Sequence, residues 1–204
     1  MRIIAGTLRH RKLVAPPGSA TRPTTDRVRE ALFSILGDLR GLTVLDCYAG
    51  TGALGLEALS RGADRAIFIE PARDAARAIE DNISTLGLRE RATLVRSNVE
   101  RAHGALTPLG PFDLVLSDPP WAIAGEAART VLSTTAGLLQ PGALLVLGHR
   151  AREPVELPES TSLALEQRRR WGDSGLSFFR YAETDPSETQ AVPGAPGPTE
   201  QHRG

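Results

Sequence analysis

Residues 42–70 read LTVLDCYAGTGALGLEALSRGADRAIFIE, and this stretch decides the fold. It predicts a buried strand over 42–47, a glycine-rich turn, a helix over 53–60 and a second strand over 65–70. Both strands are almost continuously apolar and rich in Val, Ile and Leu, which is typical of parallel strands covered on both faces. The stretch therefore predicts one βαβ unit of an open α/β sheet.

The same alternation continues along the chain. Further strands are predicted over 92–97, 112–118 and 143–149, and further helices over 72–86, 99–106 and 124–139. The last two apolar runs, 163–171 and 176–181, flank a Gly-Asp-Ser-Gly turn and predict an antiparallel hairpin at the sheet edge. The chain is therefore predicted to be an α/β protein with a doubly wound, mostly parallel sheet.

The first thirty residues are basic, although the whole chain has 24 Lys+Arg and 24 Asp+Glu. They contain seven cations and two anions, and no acid precedes Asp26. Residues 2–14 predict a small β-hairpin around Gly6, and Thr24 or Thr25 is placed to cap a helix that runs to Leu36. Arginines at the start of this helix oppose its dipole, which favours a functional role for them. A basic arm of this kind indicates a polyanionic partner.

The composition separates three segments and excludes several classes of protein. We expect a basic arm over 1–22, a catalytic domain over 23–182 and a disordered tail over 183–204, which is rich in proline and poor in large apolar residues. No apolar run approaches the length of a membrane span, and no secretory signal precedes the arm. Because Cys47 is the only cysteine and the four histidines are scattered, we expect neither a disulfide nor a metal site. A cytoplasmic monomer is expected.

The turn Asp46-Cys47-Tyr48-Ala49-Gly50-Thr51-Gly52 follows the first strand, at the edge where open α/β sheets bind ligands. Gly50, Gly52 and Gly55 also fit the G-x-G-x-x-G pattern of dinucleotide sites. However, Asp46 would repel a pyrophosphate, whereas it suits a sulfonium or an amino group. A nucleoside ligand with a positive charge is therefore favoured over a dinucleotide. Cys47 is expected to be a small buried residue and not a nucleophile.

Two polar residues end the next two strands. Glu70 follows the glycines by about the spacing at which an acid binds a ribose diol. Asn98 follows the third strand, where its side chain could bind an adenine amine, although an ordinary turn asparagine is an equally good interpretation. Both residues are predicted at the same sheet edge as the glycine turn.

The sharpest signal is Asp118-Pro119-Pro120-Trp121, directly after the strand FDLVLS. Two prolines end the strand and stiffen the chain beyond it. A carboxylate and a neighbouring carbonyl can accept the two N–H bonds of a planar aromatic amine, and an indole can stack on its ring. The motif therefore indicates an enzyme that acts on an exocyclic amine. A second cluster, Arg168–Trp171, is either a solvated strand face or a further phosphate contact.

These segments resemble the small-subunit rRNA guanine-N2 methyltransferases of the RsmD type, which are class I S-adenosylmethionine-dependent enzymes. The likeness rests on RIIAG and RKL within 2–13, RPTTDRVREALFSIL at 22–36, LDCYAGTGALGLEALSRGA at 45–63, DLVLSDPPW at 113–121 and WGDSGLSFFRY at 171–181. It implies a Rossmann-like sheet of seven strands whose last strand is antiparallel. It also implies that one guanine of small-subunit rRNA, within an assembling ribosomal particle, is the substrate.

The resemblance also implies roles for individual residues. The S-adenosylmethionine site would comprise Asp46, Tyr48, Ala49, Gly50, Thr51, Gly52, Glu70, Asn98, Val99 and Asp118. The catalytic residues would be Asp118, Pro119, Pro120 and Trp121. The RNA would be bound by Arg2, Arg9, Arg11, Lys12, Arg22, Thr24, Arg27 and Arg29. Trp121 stands where the family usually has Tyr or Phe, and Asn98-Val99 where Asp or Asn followed by Ala is usual.

Three alternatives stay open at this point. The same motif would serve an adenine-N6 methyltransferase acting on DNA or RNA. A nucleic-acid-binding module could keep the fold without turnover, and transfer of a labelled methyl group would exclude it. A dehydrogenase would be supported by binding of a nicotinamide cofactor.

Overall fold

The structure, a computed structural model, describes residues 1–16, 26–158 and 160–182. The predictions for Arg22, for the Thr24 or Thr25 cap and for the tail over 183–204 lie outside these residues. The α-helices of the described part are α1 (Asp26–Leu36), α2 (Ala53–Ser60), α3 (Arg73–Leu86), α4 (His103–Leu106) and α5 (Ala124–Thr135). Short 3-10 turns cover Val99–Arg101 and Trp121–Ile123. None of these described helices has the length and apolar character that crossing a membrane requires.

The strands are β1 (Thr43–Cys47), β2 (Arg65–Ile69), β3 (Ala92–Val95), β4 (Phe112–Ser117), β5 (Leu139–Arg150), β6 (Leu163–Trp171) and β7 (Ser174–Tyr181). They form one seven-stranded sheet in the order β3-β2-β1-β4-β5-β7-β6. The first five are parallel, and β7 runs antiparallel between β5 and β6. The predicted α/β fold and its antiparallel last strand are confirmed. Because the strand order reverses beside β1, the carboxyl ends of β1 and β4 open a crevice of the kind that binds ligands.

Two hydrophobic cores cover the two faces of the sheet. One face, called here the α1 face, packs Leu116, Val146 and Leu176 under α1 and α2. The other, called here the α5 face, packs Val115 and Leu147 under α5. Successive residues of the central parallel strands therefore alternate between two apolar environments, which is why β1, β2 and β4 are mostly apolar, whereas the edge strand β6 is largely polar.

The two largest errors in the predicted boundaries are neighbours in the chain. The helix predicted over 124–139 ends at Thr135, and β5 begins at Leu139 and not at 143. Gly137 adopts a left-handed conformation (φ 71°) that stops the helix, and Leu139 already pairs with Phe112 of β4. Gln140, Pro141 and Gly142 interrupt the apolar residues over 138–147, so the local sequence indicated a strand start only after them.

The N-terminal arm folds back on itself, but it is not a regular hairpin. Arg2 and Lys12 form a single antiparallel bridge, and the amides of Ile4 and Ala5 donate to the carboxylate of Glu57 on α2. The amide of Leu8 donates to the Ser60 hydroxyl. Backbone bonds from Ile3 to Arg11 and from His10 to Ile3 also cross the arm. The predicted hairpin over residues 2–14 is therefore present, but it is short, because the amides of Ile4 and Ala5 bind α2 and not the opposite half of the arm. Ile3 is buried in the core of the α1 face, so the arm is an integral part of the fold.

Candidate active site

The turn between β1 and α2 has an unusual backbone. Tyr48, Gly50 and Gly52 have φ values of 59°, 56° and 74°. Tyr48 is strained there, since a residue with a side chain rarely adopts a positive φ. A Cβ on Gly52 would lie 3.3 Å from side-chain atoms of Ile79 and Phe68. The turn is therefore held in a conformation that needs glycine, and its backbone lies at the carboxyl end of β1, where the sequence placed the cofactor loop.

Two buried carboxylates hold this loop in place. Asp46, 1% exposed, accepts a hydrogen bond from the Gly55 amide at 2.9 Å through Oδ2. Glu70, 7% exposed, accepts from the Gly50 amide at 2.8 Å and from the Ala72 amide at 2.9 Å. Each carboxylate oxygen has a second lone pair, so these bonds leave capacity for a ligand. Glu70 thus has a loop-positioning role that the sequence did not reveal, next to the predicted ribose contact.

The electrostatics of the crevice favour a positively charged ligand. Burial, with smaller contributions from the negative charges of Asp118 and Glu70, raises the pKa of Asp46 to about 8. The Asp46 carboxyl is therefore mostly protonated at neutral pH until a cation approaches. Burial also raises the pKa of the Cys47 thiol far above its ordinary value, so the thiol is inert. The expectation that Cys47 is a buried residue is confirmed.

Asp118 follows the last residue of β4 and lies beside β5. A Cβ built on Gly148 of β5 would lie 2.3 Å from Asp118 Oδ1, so the carboxylate is packed against the Gly148 backbone. The neighbouring Pro119 is buried, whereas Pro120 is exposed. The Pro120 carbonyl accepts the Ile123 amide at 3.0 Å and closes a turn. The turn uses one lone pair of the Pro120 carbonyl, so the predicted amine acceptor beside Asp118 is the Pro119 carbonyl.

Trp121 is half-buried at the start of the 3-10 turn after the prolines. The Arg150 guanidinium lies over its ring, 5.7 Å from the ring centroid. Such cation–π contacts contribute about 0.5–1 kcal/mol at partly exposed positions. The contact restrains the indole beside the crevice.

A pocket beside Asp118 extends under α1. The residues that line it come from α1, α2, β4 with the residue after it, β5 and β7. The sequence did not predict them as a set, because they are far apart along the chain. They are Leu32, Leu54, Leu116, Ser117, Asp118, Val146 and Leu176. The sequence identified Leu32 only as part of the apolar stripe of α1. The pocket is apolar apart from Ser117 and Asp118, and its volume of about 10 Å³ is room for one water molecule and not for a base.

The third strand end contributes less than the sequence suggested. Val99 is 1% exposed and belongs to the core of the α5 face. Asn98 is exposed, and its side chain does not cap the turn that follows. Both residues lie at the predicted edge, next to the end of β2, and the adenine contact of Asn98 stays a prediction.

Arg29 is the one described residue of the predicted RNA-binding set that the structure contradicts. Its side chain is 1% exposed, forms a hydrogen bond to Asp26 at 3.1 Å and lies 3.8 Å from Glu57. It also donates to the Arg2 carbonyl. A cation near the start of α1 therefore has a structural explanation, since Arg29 lies near the buried Glu57, whose other basic partner is Arg61 at 2.7 Å. The exposed cations of the set are Arg2, Arg9, Arg11, Lys12 and Arg27.

Asn82 on α3 connects the arm to the cofactor loop. Its Oδ1 accepts the Val14 amide at 2.7 Å, and its Nδ2 donates to the carbonyls of Val14 at 3.0 Å and Thr51 at 3.2 Å. The Thr51 hydroxyl in turn contacts Met1 Sδ at 3.4 Å. No motif in the sequence marked Asn82, since its partners lie 68 and 31 residues away.

Residues 1–180 match the family described as "Conserved hypothetical protein 95". The chain is 43% identical over 142 residues to Ribosomal RNA small subunit methyltransferase D of Escherichia coli K12, a match that covers 69% of this chain and 67% of that protein. The enzyme of the same name from Haemophilus influenzae is 34% identical over 170 residues, covering 82% and 88%.

Solved structures have the same fold. Hypothetical protein TTHA0928 of Thermus thermophilus superposes with a TM-score of 0.72 at 32% identity, covering 87% of this chain and 98% of that one. The 16S rRNA N2 G1207 methyltransferase of T. thermophilus, solved with AdoMet and guanosine, superposes with a TM-score of 0.63 at 24% identity, covering 79% and 44%. The second likeness establishes the fold alone. With its family match over 1–180 and its likeness to the small-subunit rRNA methyltransferases D, the chain belongs to the Conserved hypothetical protein 95 family of class I methyltransferases.

Proposed function

We propose that this protein transfers a methyl group from S-adenosylmethionine to the exocyclic N2 amine of a guanine in small-subunit rRNA. The observation that carries the proposal is the position of Asp118. Its carboxylate lies at the acidic end of an apolar pocket and is electrostatically coupled to Asp46 under the cofactor loop. An amine held by Asp118 is thereby brought next to the place where a positively charged ligand is favoured.

S-adenosylmethionine is the cofactor, and the donor set of the crevice fits it. It supplies a methyl group attached to a positively charged sulfur, a strong electrophile that needs no metal. We propose that Glu70 also accepts the ribose hydroxyls and that the loop over 48–52 brings backbone close to the ligand. Asp46, which is protonated without a counter-charge, becomes an anion opposite the cationic part of the ligand. These residues bind and orient the methyl donor.

Asp118 and Pro119 are proposed to hold the amine. A carboxylate and a carbonyl together accept both N–H bonds, which leaves the nitrogen lone pair directed at the methyl donor. Trp121, restrained by Arg150, is the proposed stacking surface for the base. After transfer the nitrogen releases a proton, and Asp118 or water accepts it. Most of the rate enhancement would come from this positioning.

The names of the relatives support an rRNA substrate, and the exposed cations of the arm support a polyanion. A base within folded RNA must leave its stack to reach Asp118, at a cost of a few kcal/mol. Phosphate contacts made by the arm would offset this cost. We further propose that the substrate is an assembling small-subunit particle in the cytoplasm and that the enzyme acts as a monomer.

The test is transfer of a labelled methyl group to small ribosomal subunits from a strain that lacks the enzyme, followed by nucleoside analysis. Naked small-subunit rRNA and duplex DNA are assayed in parallel. We expect N2-methylguanosine in the rRNA of the particles, and no label with the Asp118→Ala variant, which should still bind the cofactor. Label in N6-methyladenosine, or label in DNA alone, would replace the proposal with the adenine alternative.

A further inference from the structure

The register of β6 separates the consecutive arginines 168–170 that the sequence left without a role. Residues that pair directly across antiparallel strands lie on the same face of the sheet. Arg169 pairs with Leu176, and Leu176 is part of the core of the α1 face. Arg170 pairs with Gly175, so its side chain lies on the opposite, α5 face. The alternation therefore places Arg169 on the face that contains the pocket and Arg170 on the other face.

Arg169 belongs to the same row as Asp118. Leu176 pairs with Gly148, and the backbone of Gly148 packs against the Asp118 carboxylate. The row Asp118, Gly148, Leu176, Arg169 crosses three strand spacings, or about 14 Å. Asp118 and Leu176 both line the pocket. Arg169 thus lies immediately beyond the pocket wall that Leu176 forms.

The charge of Arg169 is not neutralised within the described part of the chain. Its neighbour Arg168 pairs with Glu156 at 2.6 Å, whereas Arg169 is exposed and forms no ion pair with a described acid. Trp171 lies on the same face, half-buried against the α1-face core. An exposed guanidinium beside an indole edge is the chemistry that takes a phosphate and a stacked base.

We propose that Arg169, together with Trp171, binds the RNA backbone on the β6 side of the pocket. This inference rests on the proposed rRNA substrate. The arm docks on α2 and α3, which pack over β1, β2 and β3, whereas β6 is the opposite edge of the sheet. The arm and Arg169 therefore lie on opposite sides of the pocket. Together they would bind the RNA backbone on both sides of the base that is methylated.

A simpler explanation of the arginines is protection of an edge strand. Charged side chains on an edge discourage pairing with another chain, and a negative charge does this as well as a positive one. Replacement of Arg169 by Glu keeps that protection and reverses the interaction with phosphate. Arg170→Glu is the matched control, because it makes the same change one residue away on the other face.

The experiment measures filter binding of in vitro transcribed small-subunit rRNA to the wild type, Arg169→Glu and Arg170→Glu from 50 to 200 mM salt. We expect Arg169→Glu to weaken binding about fivefold or more and to lower the slope of log Kd against log salt by about one. Arg170→Glu should stay within about twofold of wild type. Both variants should bind S-adenosylhomocysteine normally, since neither residue touches the cofactor loop.

Equal losses in the two variants, or none in either, would overturn the assignment of Arg169. If the wild type methylates rRNA in that case, the proposed function survives and only this inference fails. A wild type that neither binds nor methylates rRNA overturns both.

Discussion

The Asp118 carboxylate rests on the backbone of Gly148, so closely that a methyl group at Gly148 would lie 2.3 Å from Oδ1. Gly148 is therefore needed for the position of Asp118 and not for flexibility, since its φ is not in the left-handed range. The carboxylate can keep its place at the pocket only if residue 148 has no side chain.

Gly148→Ala should displace the carboxylate and lower kcat about 100-fold, because a shift near 1 Å in a positioned group has effects of that size. Cofactor affinity should change little, since the loop over 48–52 is untouched. Gly125→Ala is the control, because a Cβ there meets nothing within 4 Å. Steady-state kinetics and calorimetric cofactor binding measure the two effects. Full activity in Gly148→Ala would mean that Asp118 does not act from this position.

Cofactor binding should release a proton at neutral pH. Without ligand the pKa of Asp46 is about 8, and a nearby positive charge lowers it. Affinity for S-adenosylhomocysteine, through its amino group, should rise with pH up to about 8 and then level off. Calorimetry at pH 7 in buffers of different ionisation enthalpy counts the protons. Methylthioadenosine, which lacks the amino group and the sulfonium, should release none, and Asp46→Asn should abolish the release.

The same carboxyl makes the ligand-free chain less stable as the pH rises. Unfolded Asp46 ionises near its ordinary pKa of 3.8, whereas the folded group keeps its proton up to about 8. Between these two pKa values the folded state binds more protons than the unfolded state. Its free energy of unfolding therefore falls as the pH rises through this range. Denaturant titrations from pH 5 to 9 should show a smaller decline in Asp46→Asn, and an unchanged slope would contradict the raised pKa.

Glu57→Ala should unfold the arm and weaken the whole domain. The variant leaves the Arg29 guanidinium buried without its second acidic neighbour and removes the acceptor of the Ile4 and Ala5 amides. We expect a loss of about 3–5 kcal/mol in the free energy of unfolding, as for other broken buried pairs. Glu80→Ala, which breaks the exposed pair with Arg96, should cost less than about 1 kcal/mol. Similar losses in both variants would show that burial of Glu57 contributes nothing.

Neutralisation of the arm should weaken RNA binding in a salt-dependent way. Replacement of Arg9, Arg11 and Lys12 by Gln removes three exposed cations and should lower the salt slope of rRNA binding by about two. Arg129→Gln removes an exposed cation from α5, on the other face, and should leave the slope unchanged. Melting temperatures serve as the folding check, because Arg11 also donates to the Thr85 carbonyl. A wild-type slope in the triple variant would remove the arm from the RNA interface.

Local sequence determined most of the architecture. Apolar runs of strand length, the glycines after β1 and the prolines after β4 act over a few residues, so periodicity and backbone preference were enough to predict them. The chemistry of Asp46 and of Asp118-Pro119 could be read in the same way, because both groups follow strand ends that must meet at one edge. Local sequence could not predict which polar side chains are buried, because their burial depends on partners that are distant in sequence.

The tertiary structure alone decided that Arg29 is buried against Glu57, 28 residues away in sequence, and does not face RNA. It also decided that the amides of Ile4 and Ala5 bind Glu57 on α2, and that Arg169 and Arg170 face opposite sides of the sheet. Each of these outcomes depends on strand register and helix packing. The sequence shows that a residue is charged, but it does not show whether the side chain is exposed or buried. That depends on which helices and strands pack against it in the folded protein.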